Sequence, residues 1–399
     1  MKSYIAAIDI GTTKVCTLIA EKHSNFLEII GLGCSQSFGL KKGSIVDIEN
    51  TIESITQSIE EAKKMSEIRL VEEAIISIAG NHISSFNTTG VVAIREKEIT
   101  QEDVNRVLDS AKSIILPNDR EILHILPKEY KIDHLGGIKN PIGMTGVRLE
   151  VYVHIVTASS SLIKNLEKCV IKSGVKPEKI VLQPLASSRA VLSEEEKENG
   201  VLLVDIGGGT TDLALWFNGS LWLSLSIPIG GNHFTQDITT ALRISAIEAE
   251  KMKIRDGSLL DQDKIIKTQS LIGEKEKEIS SKILKDILLA RSYELANVIF
   301  KILKEKDYLK LLGAGIVLTG GGGTLKGLVE LFEAFFQKPC KLGFPRRFCK
   351  MDSSLIDPKF STALGLLLEE TSKNHKIYKE IWFFNKFKTK MKEFFLDIF

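Results

Sequence analysis

The sequence predicts an α/β protein built from a duplicated unit, and three glycine-rich stretches carry that prediction. Residues 201–212 read Val-Leu-Leu-Val-Asp-Ile-Gly-Gly-Gly-Thr-Thr-Asp, in which the leading apolar run indicates a buried strand. Residues 5–14 repeat the pattern as Ile-Ala-Ala-Ile-Asp-Ile-Gly-Thr-Thr-Lys. A third apolar strand runs into four glycines within residues 316–323. The repetition predicts two similar halves that face one ligand.

The residue types in these turns suit a phosphate group and a magnesium ion. Glycines let the backbone approach a phosphate closely, and Thr210 and Thr211 add hydroxyl donors. Asp205, at the end of its strand, is the kind of ligand that Mg²⁺ takes together with phosphates and waters. The alternative is an ordinary glycine-rich β-turn, in which Asp205 and Asp212 are turn residues.

The first copy of the pattern extends beyond its turn. Asp9 aligns with Asp205 at the end of the first strand. Cys16 aligns with Asp212 on the second strand, which would return as a hairpin. After the third stretch, residues 325–336 have a helix-like pattern, so backbone donors at a helix start could face an anion or a purine.

Other elements follow from periodicity and caps. Apolar residues at spacings of three and four predict an amphipathic helix over 48–65. Thr100, with Asp103 three residues later, resembles a capping box that opens a helix. A helix is predicted over 161–173, and the charged run 194–199 predicts a solvated loop before the second half.

Composition excludes several classes of protein. The 399 residues can form two or more domains, and 43% hydrophobic with 26% charged residues is typical of a globular protein. A net charge of +2 gives no reason to expect nucleic acid as a partner. The five cysteines have no CxxC spacing and predict reduced thiols in a cytosolic protein. Neither a signal peptide nor a bilayer-spanning apolar run is predicted.

Two further segments, 183–190 and 360–365, look like the connecting helices of a known superfamily. With the three glycine-rich stretches, in this order, they resemble the actin/Hsp70/sugar-kinase superfamily of ATP-binding folds. The resemblance implies a duplicated actin-like (RNase H-like) ATPase fold with two lobes. The implied divisions are lobe 1 (1–82 and 160–198), a small inserted α+β subdomain (83–159), lobe 2 (199–229 and 308–370), a peripheral subdomain (230–307), and a short linker with a C-terminal amphipathic helix (371–399).

Within the insertion, three sequence segments narrow the resemblance from the superfamily to one of its families. Leu-His-Ile-Leu-Pro at 123–127, Asn-Pro-Ile-Gly-Met-Thr-Gly-Val-Arg-Leu-Glu at 140–150 and Val-His-Ile-Val at 153–156 are similar to the inserted subdomain of the FtsA family, bacterial cell-division homologues of actin. His124 and His154 could suggest a metal site, but no carboxylate–histidine spacing supports one. They are interpreted as histidines of the inserted module.

The resemblance implies ATP and Mg²⁺ as ligands, with slow or no ATP hydrolysis. Asp9 and Asp205 would position the metal, and Gln183 and Asp205 occupy the catalytic positions, with Gln183 orienting the attacking water. A solvated helical ion pair is the alternative for Glu250 and Lys253, which share a helix face. The implied nucleotide-binding residues are Asp9, Gly11, Thr12, Thr13, Lys14, Asp205, Gly207, Gly208, Gly209, Thr210, Thr211, Glu250, Lys253, Gly320, Gly321, Gly322 and Gly323.

The resemblance also implies partners. These are the C-terminal tail of the tubulin-like protein FtsZ, further copies of this chain in an actin-like filament, later division proteins and anionic membrane lipid. The implied location is the cytoplasmic face of the bacterial inner membrane, at the division site. Arg291 and Glu294, on a helix predicted over 281–303, are candidate FtsZ contacts. A surface ion pair is the alternative.

The C-terminal stretch has an aromatic face opposite lysines. This pattern is typical of a helix lying in a membrane interface, and the alternative is a helix packed on the core. The candidate membrane residues are Ile377, Ile381, Trp382, Phe384, Phe387, Met391, Phe394, Phe395 and Ile398.

Two other functions remain open from the sequence. One is a phosphotransferase of the same fold, for which no carboxylate base beside an acceptor pocket can be identified. The other is a pilus-assembly platform protein resembling PilM, which shares the inserted subdomain and which the terminal aromatic–lysine helix disfavours.

Overall fold

The computed structural model describes residues 3–23, 26–261, 263–269, 276–346 and 350–371. The strands are β1 (Ser3–Ile10), β2 (Lys14–Lys22), β3 (Leu27–Gln36), β4 (Leu40–Lys41), β5 (Ser44–Ile45), β6 (Glu73–Ile78), β7 (Ser84–Ala93), β8 (Arg120–Ile132), β9 (Leu135–Ile138), β10 (Arg148–Ser159), β11 (Lys176–Leu182), β12 (Val201–Ile206), β13 (Thr211–Phe217), β14 (Ser220–Ile227), β15 (Ile265–Gln269), β16 (Glu276–Ser280), β17 (Gly315–Thr319) and β18 (Cys340–Leu342). The helices are α1 (Ile48–Ser66), α2 (Gln101–Lys112), α3 (Ser160–Lys172), α4 (Gln183–Val191), α5 (Glu194–Asn199), α6 (Gly231–Leu242), α7 (Ala246–Asp256), α8 (Ser281–Glu305), α9 (Gly320–Gly323), α10 (Leu328–Phe336) and α11 (Ser361–Thr371). The predicted C-terminal amphipathic helix lies outside the described residues.

Two five-stranded sheets repeat one topology. The first has the order β11-β6-β1-β2-β3 and the second β14-β13-β12-β17-β18. In each, an antiparallel hairpin (β1–β2 or β12–β13) lies beside a parallel strand (β6 or β17). Asp9 lies opposite Cys16, and Asp205 lies opposite Asp212, so the predicted alignment of the two copies is confirmed.

Small residues allow α1 to lie directly on the first sheet. A Cβ at Gly31 would approach the Cβ of Ser66 to 3.0 Å, and a Cβ at Gly33 would overlap the Ser58 carbonyl oxygen. The apolar stripe of α1 buries Ile55, Ile59 and Ala62, as the periodicity predicts.

Helices α4 and α11 cross between the sheets. They meet at Gly365, where a Cβ would overlap the carbonyl group of Ala186. Further along α11, the buried Glu369 forms ion pairs with Lys179 of β11 and Arg189 of α4. The crossing therefore combines close backbone contact with a three-charge cluster around one buried carboxylate.

The insertion between β6 and α3 is a separate small module. Its sheet has the order β7-β10-β8-β9, and α2 packs on it around a core of its own. The predicted capping box opens α2, because Thr100 and Asp103 each accept the backbone N–H of the other.

This module also contacts the second lobe. The imidazole of His154 lies 2.9 Å from Oδ1 of Asn87 and 2.9 Å from Oγ of Ser224 on β14. Ser85 donates a hydrogen bond to the Ser224 carbonyl oxygen (2.6 Å), and the Lys128 ammonium lies 3.5 Å from the Trp222 ring centroid. The insertion is thus covalently part of one lobe and docked on the other.

The predicted loop at 194–199 is wrong, because these residues form helix α5. Ser193 and Glu196 make a capping box, and the buried Lys197 ammonium lies 5.1 Å from the ring centroid of Trp216. The cap and the buried lysine stem favour a helix over a solvated loop.

Candidate functional site

The glycine-rich turns after β1 and β12 face each other. Each is closed by one backbone hydrogen bond, from Gly11 N to Lys14 O (3.0 Å) and from Gly207 N to Thr210 O (2.9 Å). A Cβ at Gly208 would lie 2.9 Å from the Cβ of Thr13, so the turns touch. Glycine is therefore required where one turn meets the other.

The second turn is supported from behind by the start of α6. The backbone N–H groups of Gly231 and Asn232 donate to the carbonyl oxygens of Gly207 and Gly208, both at 2.8 Å. A Cβ at Gly230 would lie 2.8 Å from the same two oxygens. The carbonyl groups are occupied by this contact, which fixes the conformation of the turn.

Asp9 is buried at the end of β1. It accepts hydrogen bonds from Ser77 Oγ (2.9 Å) and Gln183 Nε2 (3.1 Å). Burial raises its pKa, against the lowering effect of the Lys14 charge. The amide of Gln183 thus holds the proposed metal-positioning carboxylate.

Asp205 occupies the corresponding place in the second lobe, beside Asp212. Burial and the neighbouring Asp212 carboxylate raise the pKa of Asp205 to about 7, and burial raises that of Asp212 to about 6. Asp205 accepts from Thr362 Oγ1 (3.3 Å), and Asp212 accepts from Thr210 Oγ1 (2.9 Å). The buried Oδ1 of Asp212 has no hydrogen-bond partner among the described residues.

This concentration of buried carboxylates fits a divalent cation held with a phosphate. Within the described residues, no group of three or more His, Cys, Asp or Glu side chains could hold a metal ion. Mg²⁺ commonly takes only one or two carboxylates and completes its shell with phosphate oxygens and waters. The carboxylates that the sequence proposes, Asp9 and Asp205, have the oxygen chemistry that such an ion needs.

The third glycine stretch forms the short helix α9 next to Asp205. Gly320 has φ +78°, and a Cβ there would overlap Oδ1 of Asp205. The longer helix was expected from residue 325, but α10 begins at Leu328 because Gly327 adopts φ +86°. The glycines themselves, and not the start of the longer helix, therefore lie beside the carboxylate.

Glu250 and Lys253 form a salt bridge on α7 (2.7 Å), as their spacing predicts. The Lys253 ammonium also donates to the Gly231 carbonyl oxygen (2.9 Å) and to Thr235 Oγ1 (2.8 Å). The pair is thereby connected to α6, the helix whose start holds the second glycine-rich turn.

The remaining predicted site residues are Lys14, the pair Arg291 and Glu294, and the candidate membrane residues. Lys14 donates to the Lys359 carbonyl oxygen (2.7 Å), and its ammonium lies 4.4 Å from the Phe360 ring centroid. Arg291 pairs with Asp237 (2.6 Å) as well as with Glu294, which accords with the ion-pair alternative. The nine candidate membrane residues from Ile377 to Ile398 lie outside the described residues.

Sequence reasoning missed four residues that complete this site. Ser77 and Thr362 reach the two carboxylates, Thr235 contacts Lys253, and Lys359 receives Lys14. A fifth residue, Asp212, did have a signal in the sequence, because its position in the returning strand was aligned with Cys16 without being given a role.

Comparison with solved structures defines the class. The chain resembles the PilM–PilN type IV pilus biogenesis complex (TM-score 0.68, 16% identity, covering 92% of this chain and 98% of that chain). It also resembles MreB5 of Spiroplasma citri bound to ADP (TM-score 0.57, 19% identity, 92% and 96%). The fold is therefore actin-like, and the predicted fold class is confirmed.

Sequence comparison defines the family. The model "SHS2 domain inserted in FTSA" matches residues 80–157, and the model "Cell division protein FtsA" matches residues 202–365. FtsA of Pseudomonas aeruginosa is 42% identical over 91% of this chain and 88% of its own length. FtsA of Borreliella burgdorferi is 41% identical over 99% and 98%. The chain belongs to the FtsA family of cell-division proteins.

None of the helices in the described ranges is long and apolar enough to cross a membrane.

Proposed function

We propose that this chain binds MgATP between its two lobes and uses the nucleotide to control assembly. The observation that carries the proposal is the contact between the two glycine-rich turns, with a buried aspartate behind each. One turn comes from each lobe, so a phosphate bound to both would link them. A ligand that binds one arrangement of the lobes better than another shifts the population toward it.

Each proposed role follows from position. Asp9 and Asp205 position Mg²⁺, and the two turns hold the phosphates through backbone N–H groups and the hydroxyl groups of Thr12, Thr13, Thr210 and Thr211. Bound Mg²⁺ would neutralise phosphate charge. Gly320, Gly321, Gly322 and Gly323, with Glu250 and Lys253, border the adenosine.

Gln183 is proposed to orient water, but its amide is bonded to Asp9 and Ser77. This engagement supports slow turnover, because the amide must leave the carboxylate before it can orient water.

The nucleotide proposal is tested by Asp205→Asn, with MgATP binding measured by titration. We expect binding to be lost, because the variant removes a carboxylate from the proposed metal position. The control is Asp109→Asn, which changes an exposed aspartate that pairs with Lys112 on α2. Unchanged MgATP affinity in Asp205→Asn would refute the assignment.

We further propose that the C-terminal segment binds the inner face of the cytoplasmic membrane at the division site. Its aromatic residues and lysines support this, with each lysine near an anionic leaflet contributing about 1 kcal/mol. Co-sedimentation with anionic vesicles should be strong for the full chain and lost for a chain that ends at Glu370. Equal sedimentation of both would contradict the proposal.

The proposed partners are the FtsZ tail, further copies of the chain and later division proteins; membership of a cell-division family supports them. Arg291 and Glu294 remain candidate contacts for the FtsZ tail. Because Arg291 is already paired with Asp237, the tail would have to compete for this guanidinium. Arg291→Ala should weaken capture of an FtsZ-tail peptide, and undiminished capture would exclude this residue.

A further inference from the structure

Two cysteines of the first lobe lie side by side on neighbouring strands. Cys16 of β2 is opposite Cys34 of β3, with the Sγ atoms 3.4 Å apart. Cys16 is buried, whereas Cys34 is partly exposed. No role in the nucleotide site proposed above uses either thiol.

The backbone places this pair where a cross-strand disulfide can form. Ser37 N donates to Thr13 O, so 13 and 37 are a hydrogen-bonded pair, and alternation makes 16 and 34 a non-hydrogen-bonded pair. The N–H of Cys34 accordingly points away from β2, to Oε2 of Glu61 (3.0 Å). Such pairs have Cα atoms about 4.5 Å apart, at the short end of the range that disulfides span.

The pair also lies next to the first phosphate turn. Cys16 is two residues beyond Lys14 and directly opposite Asp9, so Asp9, Cys16 and Cys34 share one face of the sheet. Because disulfides usually span Cα distances of about 5.5–6 Å, closing the Sγ–Sγ distance to a bond of about 2.05 Å favours a wider spacing of β2 and β3 immediately beyond that turn.

We propose that Cys16 and Cys34 are an oxidation site for hydroperoxides, and that their disulfide weakens nucleotide binding at the adjacent turn. The Cys34 thiolate attacks one peroxide oxygen, the O–O bond breaks, and the departing hydroxide takes up the proton that the Cys34 thiol released, so that a sulfenic acid and one water form. Sγ of Cys16 then displaces the sulfenic oxygen as a second water, which takes the Cys16 proton. Two thiols and hydrogen peroxide thus give one disulfide and two waters, and a thiol reductant reverses the step.

The two thiols differ in the way this order requires. Contact with Cys16 lowers the pKa of the partly exposed Cys34 thiol to about 7, whereas Cys16 is buried. The more accessible sulfur is therefore the one that ionises and attacks first. Cys340 is also partly exposed, but burial raises its pKa to about 12, which makes it a matched control.

The test treats the full-length chain with hydrogen peroxide, then digests it with trypsin without reduction. Cleavage after Lys14, Lys22 and Lys41 separates the cysteines into peptides 15–22 and 23–41. We expect these two peptides to be recovered as one species, lighter than their sum by two hydrogen atoms and separated by dithiothreitol. Cys34→Ser should abolish this species and Cys340→Ser should not. Absence of the linked species in the unsubstituted chain would overturn the oxidation site.

The second measurement compares MgATP affinity before and after oxidation. Typical coupling between sites predicts binding about fivefold or more weaker in the oxidised chain, with no change in peroxide-treated Cys34→Ser. Equal affinity of the oxidised and reduced chains would overturn the control of binding. This part rests on the proposed nucleotide site. If the reduced chain did not bind MgATP, the nucleotide proposal and the proposed effect of the disulfide on nucleotide binding would both fail. The linked peptides would still establish the oxidation site.

Discussion

Replacement of Gly320 by alanine tests how the third glycine stretch, helix α9, supports the Asp205 carboxylate. Gly320 has φ +78°, and a Cβ there would overlap Oδ1 of Asp205 and lie 2.6 Å from the Ile206 carbonyl oxygen. The adjacent Gly321 has ordinary backbone, and the nearest atom to a Cβ there is Cβ of Lys359 at 3.9 Å. Two neighbouring glycines thus offer the same chemical change in opposite surroundings.

The cost of Gly320→Ala has two parts. A left-handed conformation costs a non-glycine residue about 1–2 kcal/mol. Forcing a methyl group into a packed site costs about 1–3 kcal/mol more, because either α9 or the Asp205 carboxylate must move. We expect the apparent free energy of unfolding to fall by about 3 kcal/mol. Gly321→Ala should be neutral or stabilise by up to about 1 kcal/mol, because alanine favours the helical turn.

Denaturant unfolding of both variants measures this difference, and MgATP titration of Gly320→Ala follows its effect on the proposed ligand. If the carboxylate moves, MgATP affinity should fall about tenfold for each 1.4 kcal/mol of binding free energy lost. Equal unfolding midpoints for Gly320→Ala and Gly321→Ala would refute the reasoning, because both the backbone conformation and the overlap would then be without consequence.

The remaining predictions concern buried charge. Burial lowers the pKa of both His124 and His154 to about 3, so below pH 6.5 the unfolded chain binds protons that the folded chain does not. Each should remove about 1.4 kcal/mol of stability per pH unit as the pH falls toward 3. His154→Gln should therefore reduce the slope of the unfolding free energy against pH in acid unfolding. Glu369→Gln removes the buried carboxylate that pairs with Lys179 and Arg189 and should lower the unfolding free energy by about 3–5 kcal/mol, measured by urea denaturation. Adding Lys179→Met should recover part of that loss, and additive costs in the double variant would contradict the ion cluster.

Local patterns predicted the turns and caps well, because the residues that determine them are adjacent in sequence. The Asp-Ile-Gly ends of β1 and β12 and the capping box of Thr100 and Asp103 are of this kind. The capping signal of Ser193 and Glu196 was equally local, but the surrounding charges favoured a loop. Burial of Lys197 against a distant tryptophan, which decides for a helix, cannot be inferred from that run.

The missing parts of the site come from long-range pairing. Ser77 reaches Asp9 because β6 lies parallel to β1, with Ala7 opposite Ile75. Thr362 reaches Asp205 because α11 crosses between the sheets. Neither neighbour has a sequence signal near the carboxylate that it contacts. The sequence thus singled out Asp9, Asp205 and Gln183 as candidate site residues but not Ser77 and Thr362, which contact the two carboxylates.

The docking of the inserted module has a mechanical consequence. The two lobes meet at the crossed helices α4 and α11 and at the facing glycine-rich turns, so a relative rotation of the lobes would take place about these contacts. Here the module is covalently continuous with the first lobe and contacts the edge strand β14 of the second through His154 and Ser224. If the lobes rotated, either the contact between His154 and Ser224 would have to break, or the inserted module would have to move with the second lobe. A change in the relative orientation of the two lobes would thereby also change the position of the inserted module.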